Sequence, residues 1–129
     1  MKKNFFIIFF FISLIAQKSF SYSSDPKQFI SEIVDEVKKI LVDTNTKEFK
    51  TKKLSEIALK TVDIKGVAYY SLGNYRKELS DEHLKEYLAL FEKYFLKSFT
   101  SRLTDYSDPK IDVLSVEILN PKYTIVKSL

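Results

Sequence analysis

Apolar residues recur along this chain with two different periods, and the switch between them divides it. Phe29, Ile30, Ile33, Val34, Val37, Ile40 and Leu41 fall three and four apart, as on one face of a helix. Ser24, Asp25 and Pro26 precede them, a capping oxygen followed by a residue whose fixed backbone angle suits a first turn. Residues 43–53 are polar and without period, which predicts a loop. Leu54, Ile57, Ala58 and Val62 predict a short second helix. Asp63 is placed to cap a third that carries Ile64, Val67, Ala68 and Leu72 and stops at Gly73. Ser80, followed by Asp81 and Glu82 where the helix dipole favours negative charge, opens the longest helix. Its apolar series is Leu84, Tyr87, Leu88, Phe91, Phe95, Phe99, Leu103 and Tyr106. After Asp108 and Pro109 the period falls to two: Leu114, Val116 and Ile118 alternate with Ser115 and Glu117, a half-buried strand. Asn120, Pro121 and Lys122 make a turn, and a second strand begins at Tyr123 and continues to Val126. The predicted fold is α+β, four N-terminal helices packing on a small antiparallel sheet. A two-stranded hairpin is marginal alone in water, so the sheet reads as unfinished.

The first residues follow a different rule. Lys2 and Lys3 lead a run from Phe5 to Ala16, apolar except for Ser13, and a polar stretch ends at Ser19, Phe20 and Ser21. This is the order of a secretory signal peptide, and cleavage is expected after Ser21. As a helix the run would rise only about 18 Å, against a hydrocarbon core of roughly 30 Å, so a membrane anchor is disfavoured. The expected organisation is a signal peptide over residues 1–21 and one domain over 22–129, delivered to the periplasm. N-terminal sequencing of the exported protein is expected to read Tyr22 first; a start at Met1 would overturn the assignment.

Charge and composition narrow the chemistry. The chain has 21 Lys and Arg against 17 Asp and Glu, and removing Lys2, Lys3 and Lys18 with the leader leaves 18 − 17 = +1. A near-neutral domain without a clustered basic stripe is a poor partner for nucleic acid. There is no cysteine, which excludes disulfides, thiol catalysis and cysteine-ligated zinc. The single histidine, His83, has no partners spaced for a metal or for acid–base work and reads as a solvated surface residue. Asp81 and Glu82 are adjacent, so they diverge on a helix and complement its dipole rather than pairing as acid and base. With only Gly66 and Gly73, no glycine-rich phosphate cradle can form. No catalytic residue, metal site or cofactor is expected.

The most distinctive stretch runs from Gly66 to Arg76. Leu72 and Gly73 close a helix, Tyr75 and Arg76 follow, Ser80 caps the next, and Phe91, Phe95, Phe99, Leu103 and Tyr106 close it. In this ordered pattern the chain resembles the toluene-tolerance or MlaC family of periplasmic phospholipid-binding proteins over roughly residues 25–126. It departs from that pattern in Tyr75, where the family usually has Trp, and in His83, near where an amide is common. Family members also continue through further strands that complete a curved sheet, so the domain is expected to be incomplete at its C-terminus.

The resemblance implies a non-enzymatic shuttle that holds acyl chains between helices and sheet. It also implies transport between an inner-membrane ABC transporter complex and an outer-membrane lipoprotein complex, in a system that maintains outer-membrane lipid asymmetry. The residues expected to line the slot are Val67, Leu72, Leu88, Phe91, Phe95 and Phe99 on the helices and Leu114 and Val116 on the strand. Arg76 is a candidate for the headgroup phosphate, with a surface ion pair as its alternative. Three rivals stand beside the carrier: a small exported interaction domain without a ligand, a truncated fragment without function, and an enzyme of the cone-shaped α+β class. A membrane-surface helix is a fourth; on the first helix Lys27, Lys38 and Lys39 face Glu32, Asp35 and Glu36, which gives it little support.

Overall fold

Side-chain caps set most of the helix boundaries. In the computed structural model, which describes residues 21–129, the Asp25 carboxylate accepts the Gln28 amide at 2.8 Å, and α1 spans Pro26–Val42. The leader, apart from Ser21, lies outside the described residues. Helix α2 spans Lys47–Thr61, beginning well before the expected boundary, because Thr46 Oγ1 accepts the Phe49 amide at 3.3 Å. The predicted loop over residues 43–53 is therefore corrected to a short connection. Its lysines and Glu48 are good helix formers whose first turns face solvent, so no apolar period marks them. Lys50 also donates to the Leu41 carbonyl at 2.7 Å, which satisfies an orphan acceptor at the end of α1.

Helix α3 spans Ile64–Leu72, with Asp63 accepting the Gly66 amide at 2.9 Å. A Cβ on Gly66 would collide with the capping carboxylate of Asp63, so the cap itself requires glycine there. Gly73 ends α3 at φ +55°, a conformation that L side chains avoid. The chain then makes a 3-10 turn, Gly73–Lys77, that the sequence pattern did not predict. Helix α4 spans Asp81–Leu103 under the Ser80 cap and ends before Tyr106. There Thr104 Oγ1 donates back to the Thr100 carbonyl at 2.9 Å and the Tyr106 amide tightens onto Leu103 at 3.0 Å.

Strands β1, Val113–Asn120, and β2, Tyr123–Ser128, pair antiparallel, with Val116 opposite Val126 and Ile118 opposite Thr124. Register shifts lie between Val113 and Ser115 and between Ile118 and Asn120, so Leu114 and Leu119 sit at irregularities rather than in a clean alternation. Glu117 and Lys127, on the opposite face from Val116, form an ion pair at 3.0 Å. The arrangement is α+β, with helices N-terminal to a two-stranded sheet. The hairpin packs chiefly on α1, α1 on α2, and α4 on α2 and α3. Lys38 on α1 ties the approach to β1 by donating to the Ile111 carbonyl at 2.8 Å.

The buried core is small. Val37 and Leu41 of α1 meet Leu54 and Ile57 of α2, flanked by Ile33, Ile40 and Leu103. Ala58, Ile64 and Ala68 extend burial toward α3. The expected half-buried strand is corrected: Leu114, Val116 and Ile118 are 53%, 40% and 74% exposed, because α1 is the main element against the hairpin and covers little of it.

Two measurements follow from this core and from the segment latched to α1. Leu54 is completely buried, and Leu54→Ala is expected to cost about 2 to 5 kcal/mol by urea denaturation. The Tyr22 hydroxyl donates to Glu36, the Ser23 amide to Glu32 at 2.9 Å, and the Tyr22 ring meets Phe29 edge-on with centroids 5.6 Å apart. Burial first, then the Glu36 hydrogen bond and the charges of Glu36 and Glu32, push the phenol from 10.0 up to about 12. Its neutral form therefore contributes stability that is complete below about pH 10 and lost as pH rises through about 12. Tyr22→Phe should lower the melting temperature at pH 9, and the gap to wild type should close between pH 10 and 12; a constant gap would refute the assignment.

Candidate functional site

Helix α4 arranges its aromatic side chains by simple helical arithmetic. Residues four apart stack along one ridge, and Tyr87, Phe91, Phe95, Phe99 and Leu103 occupy such a series. Successive ring centroids are 5.8, 6.5 and 5.9 Å apart, and the Phe91, Phe95 and Phe99 rings lie nearly parallel. All three phenylalanines are half-buried rather than sealed in the core. The upper end of the ridge is fixed to α3, where the Tyr87 hydroxyl donates to the Ala68 carbonyl at 3.3 Å. Thr100 is the one fully buried residue of this 23-residue helix, and its hydroxyl bonds back to the Leu96 carbonyl at 2.8 Å.

At its lower end the ridge runs into an open, mainly apolar depression of about 500 Å³ lined by Leu103, Tyr106, Asp108, Pro109, Lys110 and Ile111. This depression joins the end of α4 to the segment that enters β1. Sequence reasoning did not assign these residues to the site. The available signal was Leu103, which continues the four-residue series of the phenylalanines.

The expected slot residues fall into two groups. Val67 and Leu72 lie on α3, exposed and half-buried respectively. Leu88 lines a cleft of about 260 Å³ with Ile64, Lys65, Ala89 and Glu92, where α3 faces α4. Phe91, Phe95 and Phe99 form the ridge, so the structure gathers the helical members on the α3–α4 pair. Leu114 and Val116 lie exposed on β1, whose main helical contact is α1. The second group thus stands apart from the first.

Arg76 is exposed in the 3-10 turn and makes no ion pair among the described residues, so its expected alternative role is not realised there. His83 is exposed, with Nδ1 3.1 Å from the hydroxyl of the Ser80 cap. Among the described residues no group of His, Asp and Glu is placed to hold a metal, and no helix is long and apolar enough to cross a membrane. Among the described residues the ridge and its flanking depressions offer mainly apolar surface.

No curated protein and no solved structure gives a significant match to the chain. The family model described as MlaC protein matches residues 12–129, which takes in the whole of α1 to β2. The chain belongs to the MlaC family, whose members are lipid-binding transport proteins rather than enzymes.

Proposed function

We propose that this protein is a periplasmic phospholipid shuttle in an intermembrane transport system that maintains outer-membrane lipid asymmetry. It would load and unload at an inner-membrane ABC transporter complex and an outer-membrane lipoprotein complex, after export through a cleaved leader. The observation that carries the reading is the half-buried ridge Phe91, Phe95 and Phe99, continued by Leu103 into the apolar depression, in a chain of the MlaC family.

An acyl chain laid along the ridge covers apolar surface that the core leaves open. Val67, Leu72 and Leu88 would extend the wall on the helical side, while Leu114 and Val116, apart from that wall on the hairpin, would meet a tail only where it reaches past the depression. Arg76 would hold the phosphate where the wall ends. Each CH₂ kept from water contributes about 0.8 kcal/mol, so a long chain gains on the order of ten kcal/mol. A bilayer offers nearly the same gain, so transfer in either direction is close to balanced and needs no covalent step.

The exposed hairpin residues Leu114, Ile118 and Leu119 favour a second reading, an exported interaction domain that binds protein and no lipid. Mass spectrometry of lipid extracted from the purified protein separates the two. The carrier is expected to bring phospholipid through purification, and Phe95→Asp to lower the bound amount by about tenfold or more while the helical circular dichroism is kept, since a carboxylate in an apolar slot is strongly disfavoured. Lipid-free wild-type protein, or a variant that retains as much lipid as wild type, would sink the carrier.

A further inference from the structure

We infer that the outer face of α4, from Leu90 to Ser101, is a docking surface for the headgroup layer of an anionic phospholipid bilayer. The inference rests on the carrier reading for its purpose and on separate residues for its evidence. From Lys93 to Ser101 the outer face carries Lys93 and Lys97 and no acidic residue, in a domain that is otherwise nearly neutral. Both lysines are exposed, and neither enters an ion pair among the described residues.

Two large side chains with apolar surface lie exposed on the same outer face. Leu90 is 58% exposed and Tyr94 is 70% exposed. Leu90, Tyr94, Lys97 and Ser101 succeed one another at intervals of four, three and four, so they share one stripe down the helix. Leu90 next to Phe91, and Tyr94 next to Phe95, place that stripe about 100° around the helix from the aromatic ridge. The order around α4 is therefore the two lysines, then an aliphatic and a phenolic side chain, then the half-buried phenylalanines. That order matches the bilayer itself, in which anionic headgroups lie over an interfacial zone that Tyr favours and then over the hydrocarbon. A bilayer satisfies such a face without shape complementarity. An acidic protein partner would leave Leu90 without a matched pocket. A carrier seated on this stripe holds its ridge beside the surface from which tails leave.

The chain has no tryptophan, so a single introduced one reports on its own position. Protein expressed from the full chain and purified as the cell delivers it is titrated with vesicles of phosphatidylglycerol and phosphatidylcholine, and with phosphatidylcholine alone. The Tyr94→Trp emission is expected to shift to the blue on the anionic vesicles and far less on the neutral ones. Tyr70→Trp, on α3 and exposed, is expected to stay at its aqueous position. Lys93→Gln with Lys97→Gln should weaken partition of the Tyr94→Trp protein about thirtyfold, at roughly fivefold per cation near an anionic surface. Lys52→Gln with Lys60→Gln, which removes the same charge from α2, should change it by less than about threefold. A shift at Tyr70→Trp and not at Tyr94→Trp, equal losses from the two lysine pairs, or a larger shift with soluble polyglutamate than with vesicles would each overturn the inference. Copurified lipid without a Tyr94→Trp shift defeats the docking surface and spares the carrier; the shift without copurified lipid does the reverse.

Discussion

Helix α4 is the longest element of the described chain, yet it contributes one fully buried side chain, the hydroxyl-bearing Thr100. Its phenylalanines stack on one another instead of entering the cluster of Val37, Leu41, Leu54 and Ile57. A helix with this much aromatic surface needs an apolar neighbour, because hydrophobic stabilisation scales with the area taken from water. The α1–α2 pair supplies that neighbour near Leu103, and α3 supplies it near Leu88 and Tyr87. Between those two ends the phenylalanines are half-buried, with part of their surface left open. The site follows from that anchoring: held at both ends and partly open along its length.

The same constraint accounts for the hairpin. The hairpin has α1 as its main helical neighbour, and α1 touches only part of it, so Ile118 stays largely in water while Val126, its neighbour on that face, is half-buried. The opposite face carries Ser115, Glu117 and Lys127 and tolerates solvent. Apolar surface is thus left over in two places, on α4 and on β1, and the depression below Leu103 lies on the chain path that links them. The proposed cargo, a lipid tail, is long and flexible enough to reach from one surface to the other.

What the sequence made legible was whatever depends on neighbours close along the chain. The caps at Asp25, Asp63 and Ser80 and the stop at Gly73 each involve atoms within three residues, and all appear in the structure. The start of α2 was hidden because its first turns bury little and therefore show no apolar period. The 3-10 turn was hidden because its residues, Gly73 to Lys77, are all exposed and carry no pattern. The aromatic ridge was readable from its four-residue spacing, but its continuation through Leu103 into Pro109 and Ile111 depends on how the chain turns after α4, which spacing does not encode. Leu114 shows the same limit. Its place in an alternating series predicted a regular strand position, whereas the register shift is set by pairing with β2.

The charges on α4 make sense only when read around the helix rather than along it. In sequence, Lys93 and Lys97 are interrupted by Tyr94, Phe95 and Leu96, and the stretch looks like an ordinary mixture. Projected on the helix, Phe95 belongs to the ridge and Leu96 turns toward the side on which Thr100 is buried, while Lys97 and Tyr94 remain outside. The first helix has a comparable number of lysines, but Glu32, Asp35 and Glu36 stand among them. Acids absent from the stretch of α4 between Lys93 and Ser101 and interleaved on α1 give α4 a cationic stretch, which in the proposed docking is the side that an anionic surface attracts. For a carrier whose cargo gains almost as much in the membrane as in the protein, having such a side matters more than tight binding. It governs which face arrives first, and the face that arrives first lies beside the ridge.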